Sequence, residues 1–451
     1  MSNIHKYHSS ISDNSIIIPD NWKLYKWKDL ILSYEQGLIR SNLQLVNNGV
    51  FYFKMHNISS NGTCDYSKRE FTTTTLEELE HYTLKNGDFL INVRNSYDLV
   101  GKTCVVSSLT EPTVYNHMLI KIKHVDERLN YYINALLSKT YWKQYVDGCK
   151  KGTTTVIALY KEDIENIPIP VPPENTFNFI VNFEKKILAS IDNNLSICSD
   201  LESMAKLIYD YWFIQFDFPD ANGRPYKSSG GKMVWSKDLK REIPEGWEVT
   251  KLKNIFETER GISYNTANIE TGKGIPMLNL ATFRPGGGEY KSEGLKHFLG
   301  DCPKSKLLKP YDLIMCNTQQ TSIKFETDII GRAMLVPDIF ENEITFSHHV
   351  NVIRTKNDDM KFFLLYLFNS DYFHKYIAGF TNGTNILGLS FNGVEDFITA
   401  IPSNELLSKF AKIIQPVFEK KSCIFKENQD LDSLRDFLLP MLMNGQVKVK
   451  S

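Results

Sequence analysis

The sequence predicts an α+β protein in which one architecture occurs twice in tandem, each copy being a mixed body followed by a long helix. Short stretches of the first half return in the second half at spacings of 225 to 231 residues. Each body is followed by roughly 40 residues whose apolar side chains recur at alternating steps of three and four, the spacing of a coiled-coil seam. A repeat this long indicates a duplicated domain rather than the short unit of a solenoid.

The repeat is clearest at three places. Ile-Pro-Asp-Asn-Trp at 18–22 returns as Ile-Pro-Glu-Gly-Trp at 243–247, Val-Gly-Lys at 100–102 returns as Ile-Gly-Arg at 330–332, and His117 aligns with His348. The register changes little, so both halves are expected to share one fold. The predicted division is a first body over 1–173, a first long helix over 174–216, a linker over 217–242, a second body over 243–402, and a second long helix with the tail over 403–451.

Within each body, runs of β-branched and aromatic residues bounded by Asn, Gly and Asp turns predict matching strands. These runs lie at 49–53, 88–93 and 102–106 in the first body, and at 274–278, 312–315 and 332–336 in the second. Their spacing is irregular and the run at 362–368 is helical, so each body is predicted to mix helices and strands. The Gly-, Pro- and Ser-rich stretch 217–231 has the composition of a linker.

The two long helices show the strongest periodicity. At ~1.5 Å per residue each would be roughly 60 Å long, and an amphipathic helix of that length needs a partner for its apolar stripe. Because each half offers one such helix, we expect the two to pair as an antiparallel coiled coil that holds the bodies at a fixed distance. Packing of each helix on its own body alone is the alternative. The predicted pairing residues are Ile180, Phe183, Ile187, Leu201 and Ile208 on the first helix, and Phe410, Ile413, Val417, Leu431 and Leu438 on the second.

Composition limits the class of protein. The chain has 451 residues, 42% hydrophobic and 23% charged, which is ordinary for a soluble globular protein of two to four domains. The seven cysteines are scattered without a Cys-x-x-Cys pair, which fits reduced thiols. We expect neither a signal peptide nor a membrane span, and therefore a cytoplasmic location. With a net charge of −1, any nucleic-acid binding depends on local positive charge.

No catalytic motif is recognisable. The sequence lacks a Gly-x-x-x-x-Gly-Lys-Ser/Thr phosphate loop, and it lacks the Asn/Asp-Pro-Pro-Tyr loop with which adenine methyltransferases hold a flipped base. His348 and His349 are adjacent, and adjacent side chains on a strand point to opposite faces, so we expect no metal site there. The chain is therefore predicted to be a binding module with no catalytic residue, metal or cofactor of its own.

Duplicated bodies joined by a rigid helix pair suit a long, repetitive ligand, and duplex DNA is the obvious one. DNA recognition needs Arg or Lys for phosphates, and Arg, Lys, Asn or Gln for base edges. Matched loops after two repeated strands supply such residues, and the frame repeats while the polar residues differ. Ordinary polar loops are the alternative interpretation. The predicted contacts in these loops are Arg94 and Asn95 in the first half, and Asn317, Gln319 and Gln320 in the second.

Three further matched sets are candidate DNA contacts. Small hydroxyl residues around a glycine leave backbone N–H groups open to phosphate oxygens, and positions 102 and 332 keep a positive charge across the repeat. Simple backbone-turn roles are the alternative for the Gly-Thr segments. The sets are Lys54 with Asn279, Lys102 with Arg332, and Lys150, Lys151 and Thr153 with Thr384.

With these features the chain resembles the specificity (S) subunit of type I restriction–modification enzymes over nearly its whole length. Each motif alone is only weakly diagnostic of the family. Their occurrence in this order, in two copies that are each followed by a long helix, is specific for it. The motifs are the two Ile-Pro-x-x-Trp starts, Gly-Asp-Phe-Leu at 87–90 with Val-Gly-Lys at 100–102, Gly-Thr-Thr at 152–154 with Ile-Pro-Ile-Pro at 167–170, and the segment 225–235. The second copy departs from the pattern at Tyr311, where the first copy has Gly, and at Gly383-Thr384-Asn385 in place of Gly-Thr-Thr.

The resemblance implies a function for the whole chain. Each body would be a target recognition domain that reads one half of a split site in double-stranded DNA. The paired helices would set the gap between half-sites and dock two methyltransferase (M) subunits. Restriction (R) subunits would join for translocation and cleavage in host defence. S-adenosylmethionine, ATP and Mg²⁺ would then bind to the partner subunits.

Three alternatives stay open, one of which is a stand-alone enzyme with an unrecognised site, which would show turnover without partners. A related two-part restriction–modification enzyme, in which one partner combines nuclease and methylase, would use the same kind of specificity subunit, and the identity of the neighbouring subunits would separate it from type I. A coiled-coil scaffold that binds only proteins is favoured by the near-neutral charge, and the paired polar loops argue against it.

Overall fold

The computed structural model describes residues 4–7, 16–19, 21–59, 61–66, 68–138, 140–152, 156–270, 272–292, 294–320, 328–443 and 446–447. The chain forms two compact units. The first unit comprises Met1–Ser196 and Glu427–Ser451, and the second comprises Ile197–Lys426. Each unit therefore contains one body and part of each long helix.

The strands of the first unit are β1 (Ile4–Tyr7), β2 (Ile16–Pro19), β3 (Lys23–Lys26), β4 (Ile31–Gln36), β5 (Leu45–Val46), β6 (Val50–Phe53), β7 (Phe71–Thr72), β8 (Phe89–Asn92), β9 (Arg94–Asn95), β10 (Thr103–Val105), β11 (Thr113–Tyr115), β12 (Leu119–His124), β13 (Lys151–Gly152), β14 (Ile157–Ala158) and β15 (Pro168–Val171). Its helices are α1 (Leu76–Tyr82), α2 (Arg128–Leu137), α3 (Thr140–Cys149), α4 (Lys161–Glu165) and the first part of α5 (Glu174–Tyr209), which continues into a π-helical turn, Asp210–Ile214.

The strands of the second unit are β16 (Met233–Ser236), β17 (Arg241–Pro244), β18 (Glu248–Lys251), β19 (Phe256–Arg260), β20 (Ile269–Glu270), β21 (Ile275–Leu278), β22 (Lys296–Phe298), β23 (Leu307–Leu308), β24 (Leu313–Cys316), β25 (Thr318–Gln320), β26 (Ala333–Leu335), β27 (Ile344–Phe346), β28 (Val350–Thr355), β29 (Thr381–Asn382), β30 (Ile386–Leu389) and β31 (Ile398–Ile401). Its helices are α6 (Met360–Asn369), α7 (Asp371–Ile377), α8 (Phe391–Glu395) and the first part of α9 (Asn404–Met443).

The first body is built on the antiparallel sheet β10-β8-β12-β4. All four residues of β8 are buried. Because side chains alternate along a strand, Phe89 and Ile91 enter the main core, which includes α2, while Leu90 enters a second core formed with the sheet β11-β6-β7-β5. The continuous apolar run that predicts this strand therefore reflects burial on both faces.

The second body repeats this plan. Its central strand β24 is also fully buried, within the sheet β19-β28-β24-β26. Leu313 and Met315 enter the main core with α6, and Ile314 and Cys316 enter a second core formed with the sheet β20-β22-β21-β27-β23. The predicted strand runs of both bodies are confirmed to within about a residue at each end, and the helical run at 362–368 lies within α6.

In the first unit α5 and α9 pair through polar side chains. Asn194 of α5 donates through Nδ2 to Asn428 of α9 at 2.9 Å. Ten residues earlier on α5, Glu184 bonds Arg435, which lies seven residues later on α9. The contacts thus run in opposite directions along the two helices, as in an antiparallel pair.

In the second unit the pairing is also antiparallel. Lys421 of α9 lies 2.8 Å from Glu202 of α5, and the rings of Tyr209 and Phe410 are 6.3 Å apart between centroids. Advancing along α5 again means going back along α9. The predicted α+β fold with two tandem bodies and an antiparallel helix pair is confirmed.

Most predicted pairing residues are shielded from solvent, several of them in the core of their own unit, as Ile180 and Phe410 are. Ile180, Ile187 and Phe410 are buried, and Phe183, Leu201, Ile208, Val417, Leu431 and Leu438 are partly buried. Ile413 departs from the prediction, since it is 41% exposed while Ile414 beside it is buried. The first turns of α9 pack on α6 as well as α5, with Phe418 against Phe362, and this rotates the buried stripe by one residue.

The segment 217–242 is ordered by local contacts. Asp217 accepts hydrogen bonds from the backbone N–H of Ser228 at 2.7 Å and from its hydroxyl at 2.6 Å. Strands β16 and β17 then form an antiparallel hairpin. The segment between the bodies thus has a defined local structure.

Two general expectations concern thiols and membranes. All seven cysteines are unpaired, as their scattered positions predict. Across the described residues, no helix has both the length and the apolar character needed to cross a bilayer.

Candidate functional site

In the first unit, the end of β4 lies against the turn that contains His117. The carbonyl of Leu38 accepts the His117 N–H at 3.1 Å, and Gln36 donates through Nε2 to the His117 carbonyl at 2.9 Å. We call Gln36, Gly37, Asn116 and His117 the first corner. The Gln36 side chain is exposed, and it projects from a backbone position that is fixed by the strand.

The second unit repeats this arrangement between β19 and the turn before β28. The carbonyl of Ile262 accepts the His348 N–H at 2.8 Å, and Arg260 donates through Nε to the His348 carbonyl at 2.6 Å. We call Arg260, Gly261, Ser347 and His348 the second corner. The backbone frame is the same in both corners, while the side chain on the histidine carbonyl changes from Gln to Arg.

Each corner depends on a glycine at a close backbone approach. A Cβ on Gly37 would lie 2.4 Å from two carbonyl oxygens of the facing turn, and a Cβ on Gly261 would lie 2.2 Å from the carbonyl oxygen of Ser347. Neither position has room for a side chain. Because the glycine has no side chain, the strand end lies directly on the turn. This close approach places Gln36 at the edge of the turn in the first corner and Arg260 at the edge of the turn in the second.

The second corner lies in a positive environment. The rings of His348 and His349 are 3.9 Å apart, the Tyr264 ring lies 5.5 Å from His348, and Lys296 Nζ is 3.1 Å from the Tyr264 hydroxyl. Burial, followed by the nearby His348, Arg260 and Lys296, lowers the pKa of His349 to about 4. Among the described residues, the charged or titratable neighbours that shift this pKa are all basic, which gives the corner local positive charge despite the net charge of −1.

The first corner also lies in a positive environment, which is weaker than that of the second corner. Burial, followed by the charge of Arg94, lowers the pKa of His117. The Nδ1 atoms of His117 and His348 are both buried without a hydrogen-bond partner among the described residues. The two corners therefore share a histidine nitrogen with unused hydrogen-bonding capacity.

A three-stranded sheet adjoins the first corner and contains several predicted DNA contacts. Strand β9, with Arg94 and Asn95, pairs with β14, which pairs with β13, where Lys151 lies. The sheet is joined to the corner because the Val93 N–H donates to the Met118 carbonyl at 3.0 Å. The structure therefore brings together loops that are separate in sequence.

The second unit has the equivalent sheet, in the order β25-β30-β29. Strand β25 contains Gln319 and Gln320, and Thr384 is exposed in the hairpin after β29. The Asn317 N–H donates to the His349 carbonyl at 2.9 Å, as its counterpart does in the first unit. Thr153 and the side chain of Gln320 lie outside the described residues.

The predicted cations of the first unit differ in how accessible they are to a DNA phosphate. Arg94 is exposed, Lys102 is partly buried, and the Lys151 side chain is 62% exposed beside an aspartate at 2.7 Å. Lys54 is paired with a glutamate at 3.0 Å. The Lys150 side chain is 2% exposed and its Nζ lies 2.5 Å from an aspartate, which leaves no side-chain surface for a DNA phosphate. Burial within an ion pair removes Lys150 from the plausible contacts.

Gln319 and Arg332 are buried structural groups rather than surface contacts. Gln319 Oε1 accepts the backbone N–H groups of Ile329 and Ile330 at 2.7 and 2.8 Å. Arg332 is 4% exposed and donates through Nη1 to the Asn369 carbonyl at 2.5 Å. Contact with DNA would require both networks to break, so the predicted surface role of these two residues is corrected.

Asn279 and Asn317 are corrected for the same reason. Asn279 is 4% exposed and caps a 3-10 turn, its Oδ1 accepting the Ala281 N–H at 2.9 Å. Asn317 is buried and donates to Asn351 Oδ1 at 2.5 Å. Both amides hold the backbone next to the second corner. Sequence position alone does not distinguish an inward amide from an outward one.

Gln36 and Arg260 are not among the residues predicted from the sequence, although the sequence contains a signal for them. Glu-Gln-Gly-Leu at 35–38 returns as Glu-Arg-Gly-Ile at 259–262, with a spacing of 224. Only the second residue changes chemical type. Tyr264 and Lys296 have no comparable signal.

The expectation that His348 and His349 point to opposite faces is wrong. The two residues lie in a turn rather than on a strand, and their rings are adjacent. In the part of the chain that the structure describes, no group of three or more His, Cys, Asp or Glu side chains is placed to hold a metal ion.

The chain belongs to the family of the type I restriction modification DNA specificity domain. The model of this domain matches it twice, over residues 19–207 and 244–431. Each match spans one body and most of the long helix that follows it, in agreement with the duplicated architecture.

Individual relatives are distant and extend over most of the chain. The type I restriction enzyme MjaIX specificity subunit of Methanocaldococcus jannaschii is 24% identical over 386 residues, 85% of this chain and 83% of the relative. The HindI specificity subunit of Haemophilus influenzae is 22% identical over 347 residues, 68% of this chain and 74% of the relative. The crystal structure of the type I restriction–modification S subunit from M. genitalium shares the fold, with a TM-score of 0.51 at 14% identity, covering 95% of this chain and 97% of that one.

Proposed function

We propose that this chain is the DNA specificity subunit of a type I restriction–modification complex, and that each unit recognises one half of a split site in double-stranded DNA. The observation that supports this most is the pair of matching corners. They share a backbone frame and differ in the side chain presented, Gln36 in one and Arg260 in the other. Both residue types recognise base edges in the major groove. Two readers of different half-sites require this combination of a constant frame and a variable side chain.

Exposed apolar side chains on the long helices support two equivalent partner sites. In the second unit, Met204 and Leu207 of α5 are 58% and 66% exposed. In the first unit, Leu434 and Phe437 of α9, each 230 residues later, are 44% and 61% exposed. Exposed apolar residues three apart form a continuous patch on a helix, and such patches are typical of protein interfaces.

Each of these patches binds one methyltransferase subunit in our proposal. Because the patches repeat with the domain, the complex has two such subunits. They bring S-adenosylmethionine and the adenine chemistry, and restriction subunits with ATP and Mg²⁺ join the assembly. The chain itself is non-catalytic and works in the cytoplasm, where its DNA target lies.

The direct test is to map modified adenines after co-expression with the methyltransferase subunit encoded beside this chain, in a host that lacks the modification. A split motif with a fixed gap, lost when this chain is omitted, would support the proposal. Absence of modification by a complex shown to be folded and assembled would contradict it and favour a protein-binding scaffold. A partner that combines nuclease and methylase would identify a different type of restriction–modification enzyme.

The partner sites are tested separately by charge substitution. Leu207→Glu and Phe437→Glu should each weaken binding of one methyltransferase subunit by at least about tenfold, because burial of a large apolar side chain contributes roughly 1.5–3 kcal/mol. Leu299→Glu and Leu43→Glu are matched controls, since these leucines are 48% and 97% exposed and lie off the long helices. Equal effects of test and control variants on subunit stoichiometry would contradict the assignment of the patches.

A further inference from the structure

We propose that Gln36 and Arg260 determine the sequence specificity of the two units, with Gln36 reading an adenine in one half-site and Arg260 reading a guanine in the other. The inference rests on the proposed DNA-binding function and adds to it the residues and the bases. It follows from how each side chain is fixed at its corner and which hydrogen-bonding atoms remain.

Arg260 is exposed, and its guanidinium is anchored at one atom. Nε donates to the His348 carbonyl at 2.6 Å, and among the described residues no carboxylate lies within ion-pair distance of this guanidinium. With Nε engaged, the outer edge of the planar group presents Nη1 and Nη2, two parallel donors. In the major groove, guanine presents two acceptors, O6 and N7, and a bidentate arginine is their standard partner.

Gln36 is anchored in the same way, and the hydrogen-bonding atoms that remain available to a base are different. Nε2 donates to the His117 carbonyl at 2.9 Å, which assigns the NH₂ end of the amide to that side, because a carbonyl can only accept. Oε1 and the second Nε2 hydrogen remain, one acceptor and one donor. Adenine presents the complementary pair in the major groove, the N6 amino group and N7.

The residues before the two readers do not repel DNA. Glu35 points to the face of its strand opposite to Gln36, and Glu259 to the face opposite to Arg260, since side chains alternate along a strand. Glu35 is 2.7 Å from Lys121, and Glu259 is 3.3 Å from Lys306, so both carboxylates are paired with cations. The reading side chains therefore project from strand ends whose acidic neighbours are compensated.

The second corner also has groups suited to the DNA backbone next to its reader. Lys296 stacks on Tyr264, with Nζ 5.1 Å from the ring centroid, and Tyr264 packs on His348. Phosphate contacts position a protein on the duplex and base contacts specify the sequence. In this arrangement Lys296 takes the positioning role and Arg260 the specifying role.

The test is adenine-modification mapping of the assembled complex with wild-type chain, Arg260→Gln, Gln36→Arg, and the control Lys304→Gln. Lys304 is an exposed cation of the second body outside the corner, so its variant removes one charge without changing a reader. With the wild type we expect a guanine at a fixed position of one half-site and an adenine at a fixed position of the other.

Arg260→Gln should change the preference at its guanine to adenine or lower modification there by at least about fivefold, leaving the other half-site unchanged. Gln36→Arg should change the adenine of the other half-site toward guanine. Competition binding by the same complexes, using duplexes altered at one base, gives an independent readout.

Different results overturn different statements. A wild-type motif with no guanine in either half-site, or an Arg260→Gln variant with the wild-type motif, would overturn the inference while leaving the specificity-subunit function intact. A uniform loss on all sequences, equal to that of Lys304→Gln, would also overturn it by making Arg260 a phosphate contact. Absence of any wild-type motif from an assembled complex would instead contradict the proposed function itself.

Discussion

The Glu184 carboxylate and the Arg435 guanidinium form a buried ion pair between the two long helices of the first unit. Arg435 Nε lies 2.8 Å from Glu184 Oε2, Nη2 bonds Oε1, and the side chains are 2% and 0% exposed. Nη1 also donates to the Asn61 carbonyl. The equivalent positions in the second unit are Ala205 and Ile414, which are buried in an apolar cluster. Helix pairing is therefore polar at this place in one unit and apolar in the other.

Removing one partner of this ion pair should be strongly destabilising. Arg435→Met leaves the Glu184 carboxylate buried without a counter-charge, and we expect the free energy of unfolding to fall by about 3–5 kcal/mol. The double variant Glu184→Leu/Arg435→Met should lie close to wild type, because apolar side chains of similar size can replace a buried pair. Urea unfolding of the three chains measures this. A double variant as unstable as the single one would show that the pair itself stabilises the fold.

The close approach at the second corner predicts a sharp effect of one methyl group. Gly261→Ala places a Cβ 2.2 Å from the Ser347 carbonyl oxygen, which forces the strand end away from the turn and should abolish recognition of one half-site. Gly379→Ala is the control, because its Cβ meets nothing within 4 Å. Modification mapping and thermal unfolding of both variants test the prediction. An unchanged motif with Gly261→Ala would mean that the corner is not needed for recognition.

Arg94→Ala and Gln319→Ala should separate DNA binding from stability. Arg94 is exposed, so its loss should weaken binding to one half-site by ~1–3 kcal/mol if it contacts a base, and leave the unfolding temperature unchanged. Gln319→Ala leaves the N–H groups of Ile329 and Ile330 without their acceptor, which should cost about 1–3 kcal/mol of stability. DNA titration and thermal unfolding distinguish the two. A stable Gln319→Ala variant with weakened DNA binding would restore the surface role predicted from the sequence.

His124 should make the first unit less stable in mild acid. Burial lowers its pKa from 6.5 to about 4, and the neutral ring accepts from Trp27 Nε1 at 2.9 Å and contacts Asn130 Oδ1 at 2.6 Å. Below pH 6.5 the unfolded chain binds a proton that the folded chain does not. This lowers stability progressively down to pH 4, by up to about 3 kcal/mol.

The measurement compares unfolding of wild type and His124→Gln at pH 7 and pH 5. Gln keeps an acceptor for Trp27 and does not titrate, so the variant should lose less stability on acidification than the wild type. All other titrating groups are common to both chains and cancel in the comparison. Equal losses would show that His124 does not drive the acid sensitivity.

The sequence by itself determined the duplicated α+β architecture and the antiparallel helix pair. The strands β8 and β24 are predictable because both of their faces are buried, which requires an unbroken apolar run. The helices are predictable because one buried face imposes a periodic stripe. Both signals are local, so they survive in a single sequence. The deviation at Ile413 arises where a second contact surface, α6, is added to the first.

Only the tertiary structure decided which polar residues are available to a ligand. Asn317 and Gln319 follow β24 as Arg94 follows β8, yet they face inward and bond backbone groups of other segments. Gln36 and Arg260 gain their position from carbonyls that lie 81 and 88 residues away in the chain. Whether a polar side chain satisfies a buried backbone group or projects into solvent depends on contacts between distant segments, and no local pattern in the sequence records such contacts.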